Sequence, residues 1–163
     1  MVLAIPPSVV RAVLRRAMRL PPGSQLRRRM LKRGFACGFE ATRRDDYEFA
    51  LLMYEPDVEH RMFGENARAL GLAESYHGHQ GFLDLWRDYK KDMDDLHFET
   101  EQIIDFGDLI ALRATLVGRG RSSGVATTRT AGLLYYFSPG GMIARSDVYW
   151  TWEEALAALE LWE

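Results

Sequence analysis

Along the first third of the chain, apolar residues recur at helical spacing. Val10, Val13, Leu14 and Ala17 share one face of a helix over Val9–Leu20, and Arg11, Arg15, Arg16 and Arg19 lie largely opposite. Pro21-Pro22-Gly23 stops that helix, because proline has no backbone donor and disfavours helix before it. Ser24 can cap a second helix over 25–41. Tyr47, Ala50, Leu51 and Tyr54 predict a third, short helix over 45–54, closed by Pro56. Asp57 to Phe63 reads as a strand, and a loop of glycine and small residues follows. Helical spacing returns at Gly78. There Phe82, Leu85, Trp86, Tyr89 and Met93 form an apolar stripe, with Asp84, Arg87, Asp88 and Lys91 outside it. From Leu96 the pattern becomes strand-like, over 96–105, 108–119, 124–137 and 142–151. Gly107-Asp108, Gly118–Gly124 and Ser138-Pro139-Gly140-Gly141 supply the turns. A last helix is predicted from Trp152 to Leu161.

Helices followed by consecutive antiparallel strands predict an α+β layer fold, with the helices on one face of the sheet. A strongly curved sheet leaves a concave side that helices do not fill, and such a cavity is the default ligand site. The length, 163 residues, suits one domain with a substantial core. Within it we separate a basic amphipathic arm, 1–22, from a domain over 23–163. No internal repeat or low-complexity segment interrupts them.

Charge adds one feature. Residues 1–44 hold eleven Lys/Arg and one acid, Glu40, whereas 45–163 hold ten Lys/Arg and twenty-two acids. Such asymmetry fits an arm that meets an anionic partner or membrane surface, or one that packs on its own acidic body or on a partner subunit. The run RRRMLKR at 27–33 lacks the interleaved aromatics and reading element of a nucleic-acid binder, so no nucleic-acid partner is expected. A single cysteine, Cys37, excludes a disulfide-built secreted domain. No apolar run approaches the ~20 residues needed to span a bilayer, and the arginines break up any signal-peptide pattern. We read the chain as soluble and cytoplasmic.

Four stretches together are familiar: RRDDYEFALLMYEPDVEH, YHGHQGFLDLWRDY, IIDFGDLIALRATLVGRG and GGMIARSDVYWTWEEAL. They run in order through most of 43–157. The chain resembles the SnoaL-like branch of the nuclear-transport-factor-2-like (NTF2-like) superfamily. The resemblance implies a cone: a curved antiparallel sheet with helices enclosing a pocket, here carrying an extra N-terminal helical arm. It also implies a homodimer through the outer sheet face.

The superfamily includes ketosteroid isomerases, limonene-type epoxide hydrolases and polyketide cyclases, and fold does not choose among them. Its catalytic positions can be compared one by one. Where ketosteroid isomerases place a general-base aspartate after "V-E", this chain has Val58-Glu59-His60. Their second, protonated aspartate falls on Leu133, and their oxyanion-hole tyrosine near Cys37 or Gly38. The acidic residue that epoxide hydrolases and SnoaL-type cyclases carry on the final strand falls on Val148. Asp147 beside it points to the other face, because side chains alternate. Pairing Phe137 with Met142 sets Leu133 opposite Ser146 and Ala131 opposite Val148, so the two carboxylate positions share one face. Arg129, Tyr135 and Trp150 lie on that face too.

The candidate site is therefore His60, at the mouth of the pocket, as the one titratable group at a family catalytic position. Tyr47, Trp86, Tyr89, Arg129, Leu133, Tyr135, Val148 and Trp150 are the pocket wall. A histidine of ordinary pKa, near ~6.5, can act as a base at neutral pH; a hydrogen-bonded histidine at a strand end is the structural alternative. His77-Gly78-His79 supplies two ligands where zinc needs three or four, so it reads as a turn and no metal or cofactor is assigned. Arg113 either binds an anion or pairs at the sheet rim. Two functions stay open. One is a pocket for a small apolar or amphipathic molecule, with or without isomerase-, hydrolase- or cyclase-like chemistry at His60. The other is a non-enzymatic dimeric binding or scaffold module.

Overall fold

The computed structural model of the chain describes residues 6–160; the predicted positions 1–5 of the arm and Leu161 lie outside them. Two helices lead. Helix α1 (Pro7–Arg19) starts on its proline, whose missing donor costs nothing at a first turn. Helix α2 (Gln25–Arg43) is capped by Ser24, whose Oγ accepts from the Arg27 amide at 3.3 Å. Gly23 turns the chain between them at φ +80°.

The predicted third helix is much shorter. Helix α3 spans only Tyr47–Ala50, a 3-10 turn covers Leu51–Met53, and Tyr54 already opens strand β1 (Tyr54–Met62). Pro56 and the extended backbone of β1 win over the 3,4 spacing of a segment too short to nucleate helix alone. Helix α4 (Glu65–Ala69) and strand β2 (Ser75–His77) occupy what reads as a loop in the sequence. Helix α5 (Gly78–Lys90) starts on Gly78 at φ +69°, where a Cβ would lie 3.2 Å from the Pro56 carbonyl oxygen. Strands β3 (Met93–Asp105), β4 (Leu109–Gly120), β5 (Ala126–Phe137) and β6 (Ile143–Tyr149) follow, then helix α6 (Trp152–Glu160).

The six strands form one curved, unclosed sheet in the order β2-β1-β6-β5-β4-β3. All neighbours are antiparallel except β1 and β6, which run parallel. That parallel pair matters, because it sets His60 directly beside Ser146 and Met62 beside Val148. Across the next ladder Ser146 faces Tyr135 and Val148 faces Leu133. The last hairpin is thus displaced by two residues from the predicted pairing: Phe137 faces Ile143, and a bulge follows. The cause is local, since the Ser138 amide already donates to Met142 O at 2.8 Å to close the turn. A two-residue shift keeps side-chain parity, so the inner face is unchanged.

The two faces of the sheet carry two cores. The concave face packs Ile110, Leu112, Leu133, Tyr135, Ile143 and Val148 against α2 and α5. The convex face buries Leu109, Ala111 and Leu134 under Trp152 and Ala155 of α6. Arg113 lies on this convex side of β4, exposed and paired with Glu101 at 3.2 Å.

Helix α1 is packed onto the body through buried Leu14 and Ala17. Gly141, at φ +81°, lets the β5–β6 turn approach so closely that a Cβ there would meet Arg15 Cα at 2.9 Å. Arg27, first of the basic run, is buried. Its guanidinium donates to Met18 O (2.9 Å), Leu20 O (3.0 Å) and Asp105 Oδ1 (3.0 Å), and also to Gly107 O. This ties the α1–α2 turn to the β3–β4 turn. Arg43 meets Asp95 at 2.6 Å. Part of the positive charge of residues 1–44 is therefore matched by the chain's own acids. No helix among the described residues is long and apolar enough to cross a membrane.

Candidate functional site

The concave face closes over a small cavity of about 40 Å³. Its floor comes from three neighbouring strands, with His60 on β1, Ser146 and Val148 on β6, and Leu133 and Tyr135 on β5. Its roof comes from Phe35, Gly38 and Phe39 on α2, and from Phe82, Leu85, Trp86 and Tyr89 on α5. Met53 and Tyr54 close one side. Aromatic rings make most of the wall. Phe82 lies 5.0 Å from Tyr54 and 5.6 Å from His60, and Phe35 lies 5.0 Å from Tyr135, centroid to centroid.

His60 is not at a mouth. It is only 2 % exposed, because β1 lies second from the sheet edge and α5 covers it. Its Nδ1 is 2.6 Å from Ser146 Oγ, a contact made possible by the parallel register. Its Nε2 is buried and has no protein partner among the described residues. Burial, with smaller contributions from the nearby His77 and His79, lowers the imidazole pKa from about 6.5 to about 4. The ring is therefore neutral at pH 7. A neutral imidazole whose Nδ1 is committed to Ser146 has one nitrogen left to offer. Nε2 is an acceptor if Nδ1–H donates to the serine, and a donor if the serine hydroxyl donates to Nδ1.

The phenols nearby stay protonated. Burial raises Tyr54, Tyr89 and Tyr135 above the ordinary phenol range. Tyr89 OH points at Met62 Sδ, 3.7 Å away. Among the described residues no carboxylate lines the cavity.

Of the residues expected to form the wall, Trp86, Tyr89, Leu133, Tyr135 and Val148 line this cavity together with His60. Three do not. Tyr47 packs edge-on against the far side of Phe82 at 6.3 Å and receives Lys90 over its ring. Trp150 is buried in the same core beside Tyr89 at 6.2 Å, beyond the cavity. Arg129 has the inner parity but extends past the helices, where it is exposed and lines a separate groove with Asp88 and Asp92. Sequence reasoning missed Tyr54, taken for a helix end, and the role of Ser146, whose partner becomes visible only through the β1–β6 pairing. His77 and His79 flank a turn: His77 Nε2 is 3.3 Å from Ser75 Oγ, and His79 Nε2 3.3 Å from Tyr54 O. Among the described residues no three His, Cys, Asp or Glu side chains converge as a metal site would require.

A six-stranded curved sheet wrapped by helices around an aromatic cavity is the NTF2-like fold. Residues 38–146 match the SnoaL-like domain family, and the chain belongs to it. No curated protein matches the sequence. Solved structures share the fold at low identity. TerC, co-crystallised with polyporic acid, superposes at TM-score 0.62 with 20 % identity, covering 77 % of this chain and 92 % of that one. A SnoaL-like protein of unknown function from Burkholderia thailandensis gives TM-score 0.58 and 20 % identity over 80 % of this chain and 99 % of its own. RV0760c from Mycobacterium tuberculosis, in complex with estradiol-17beta-hemisuccinate, gives 0.57 and 17 % over 71 % and 89 %.

Proposed function

We propose that the protein binds a small apolar or amphipathic molecule in the cone, holding one hydroxyl or carbonyl group of it at His60 Nε2. The observation that carries this reading is the buried, unpartnered Nε2 of a ring that lines an aromatic cavity. A buried polar atom without a partner costs roughly 1–3 kcal/mol, and a ligand hydrogen bond would relieve that cost. Relatives of the same fold crystallised with polyporic acid and with a steroid hemisuccinate support a ligand role for the cone.

The site is a better binder than base. An imidazole of pKa about 4 has little driving force to take a proton from carbon or water at pH 7. Among the described residues no carboxylate lines the cavity, so the carboxylate-based acid–base chemistry of the isomerases, hydrolases and cyclases has no counterpart in its wall. Any reaction here would rest on hydrogen-bond polarisation by Nε2 and the phenols. The test is a titration with 2-butanone and 1-butanol, read by the ring nitrogen shifts of His60. A saturable shift at Nε2 is expected in the parent, and binding measured by calorimetry should be lost in His60→Leu. Saturable binding with an unmoved His60 ring, or no binding of either probe, overturns the reading.

A second reading has its own observation. Val9 and Val13 on α1 are 46 % and 47 % exposed and Leu26 on α2 is 56 % exposed, on two helices that also carry the exposed Arg11, Arg16, Arg28 and Arg29. Exposed apolar side chains on helices rich in guanidiniums suit an anionic membrane surface. Salt-sensitive sedimentation with phosphatidylglycerol vesicles, reduced by Arg28→Glu and Arg29→Glu, is its expected signature. A homodimer through the convex sheet face is compatible with either reading, and sedimentation equilibrium tests it.

A further inference from the structure

A second cavity, about 260 Å³, runs beneath α1 against α2. Its lining is apolar, with Val9, Val13, Leu14, Met30 and Phe49 prominent; Arg33 and Cys37 are the exceptions, both on exposed positions of α2. Two residues line both this groove and the His60 cavity, Phe35 and Met53. The two spaces therefore share Phe35 and Met53 in their walls. One of these is a methionine, the most adaptable apolar side chain. Gly38 of α2 leaves Met53 its seat, since a Cβ there would lie 2.9 Å from Met53 Sδ.

Volume points the same way. Ligand pockets usually enclose about 300–1,000 Å³. The His60 cavity alone is far below that range, and among the described residues the groove alone has no buried polar side chain to orient a ligand. Joined, they approach the lower bound and combine an anchor with a long apolar wall.

We propose that the groove beneath α1 is the tail-binding arm of the His60 site. The ligand class is then an elongated amphipathic molecule: one carbonyl or hydroxyl at His60 Nε2, and a slender apolar chain that displaces Met53 and Phe35 and lies along α1. Helix α1, packed through Leu14 and Ala17, becomes a wall of the site. This rests on the reading of the His60 cavity as a ligand site, and the experiment separates the two.

Straight-chain 2-alkanones and 1-alkanols of four, seven and ten carbons are titrated into the full chain, with His60 ring shifts and calorimetry as readouts. Affinity should rise roughly 100-fold from four to ten carbons, below the ~4-fold per methylene that complete transfer would give. Gly34→Leu projects into the groove, where its Cβ meets only Leu14 Cδ2, at 3.8 Å, and a thermal melt like the parent's checks that it folds. It should return the ten-carbon affinity to the four-carbon level and leave the four-carbon probes unchanged. Val13→Asp, at an exposed wall position, should weaken only the long probes. A flat chain-length series with intact four-carbon binding overturns the tail arm and spares the His60 site. Failure of all probes overturns both. A Gly34→Leu variant that keeps the series but changes its sedimentation coefficient assigns the groove to a second copy of the chain, and also overturns the proposal.

Discussion

Two pairs of neighbours on the same two strands have opposite fates. His60 and Ser146 point into the cone, while Arg61 and Asp147, one residue further along, point out. Inside, the pair is neutral and incomplete: Nδ1 is bonded and Nε2 is not. Outside, Asp147 is 1 % exposed yet charge-paired, taking 2.9 and 3.0 Å bonds from Arg61 and a 2.9 Å bond from Arg145. Arg145 in turn lies over the Tyr136 ring at 3.9 Å, and Phe63 stacks on Tyr149 at 4.7 Å. The outer cluster ties β1 to β6 through ion pairs, whereas the inner pair carries no charge at pH 7. Charge pairing, and not completeness of hydrogen bonding, separates the two, since Arg145 Nε of the outer cluster is buried without a partner among the described residues just as His60 Nε2 is.

Asp147→Asn should break the outer cluster most severely. It leaves two guanidiniums, each about a third exposed, sharing one neutral amide, and because solvent screens them the cost should sit at the low end of the about 3–5 kcal/mol of a broken buried pair. Urea unfolding measures this, and four-carbon ligand binding at 15 °C should survive. If stability is unchanged, the outer cluster is not structural and the contrast fails.

Acid should act on the inner pair next. Above pH 6.5 the His60 ring is neutral in both folded and unfolded chains. Between pH 6.5 and about 4 the unfolded chain takes up a proton that the buried ring refuses. Stability should therefore fall as pH falls, by up to about 3 kcal/mol from this group. The depressed carboxyls of Asp45 and Asp95 titrate below that window. His60→Gln should flatten this part of the profile, and equal slopes for parent and variant would contradict the buried neutral ring.

Ser146→Ala tests the inner pair more gently. It strands Nδ1 and should cost about 1–2 kcal/mol. The ring should also lose its fixed tautomer, visible as averaged Nδ1 and Nε2 shifts. The smallest effect is expected at Arg113–Glu101, an ion pair on the convex face with both partners near half exposed. Arg113→Ala should cost no more than roughly 1 kcal/mol. A larger loss would mean that charge itself, and not its burial, explains the outer cluster.

Parts of this contrast were legible beforehand. Strand alternation alone assigned Leu133, Tyr135 and Val148 to one face and Asp147 to the other. Those assignments survived a two-residue error in the hairpin pairing, because parity has period two. Alternation also put Arg129 on the inner face but said nothing of how far along the strand the helices reach, so its exposure was invisible. Tyr54 was misread because apolar spacing over a short segment cannot tell the end of a helix from the start of a strand.

The sequence by itself determined what depends on neighbours along the chain: the helix and strand types, their turns, the inner face, and the family likeness. Its local pattern also placed His60 on that face. Only the tertiary structure decided what depends on distant partners. The parallel pairing of β1 with β6 brings together residues 86 positions apart, His60 and Ser146. The cover of α5 makes that histidine buried and neutral, and the docking of α1 creates the groove beside it. No local propensity encodes such contacts, because their free energy exists only once the sheet has closed over its core.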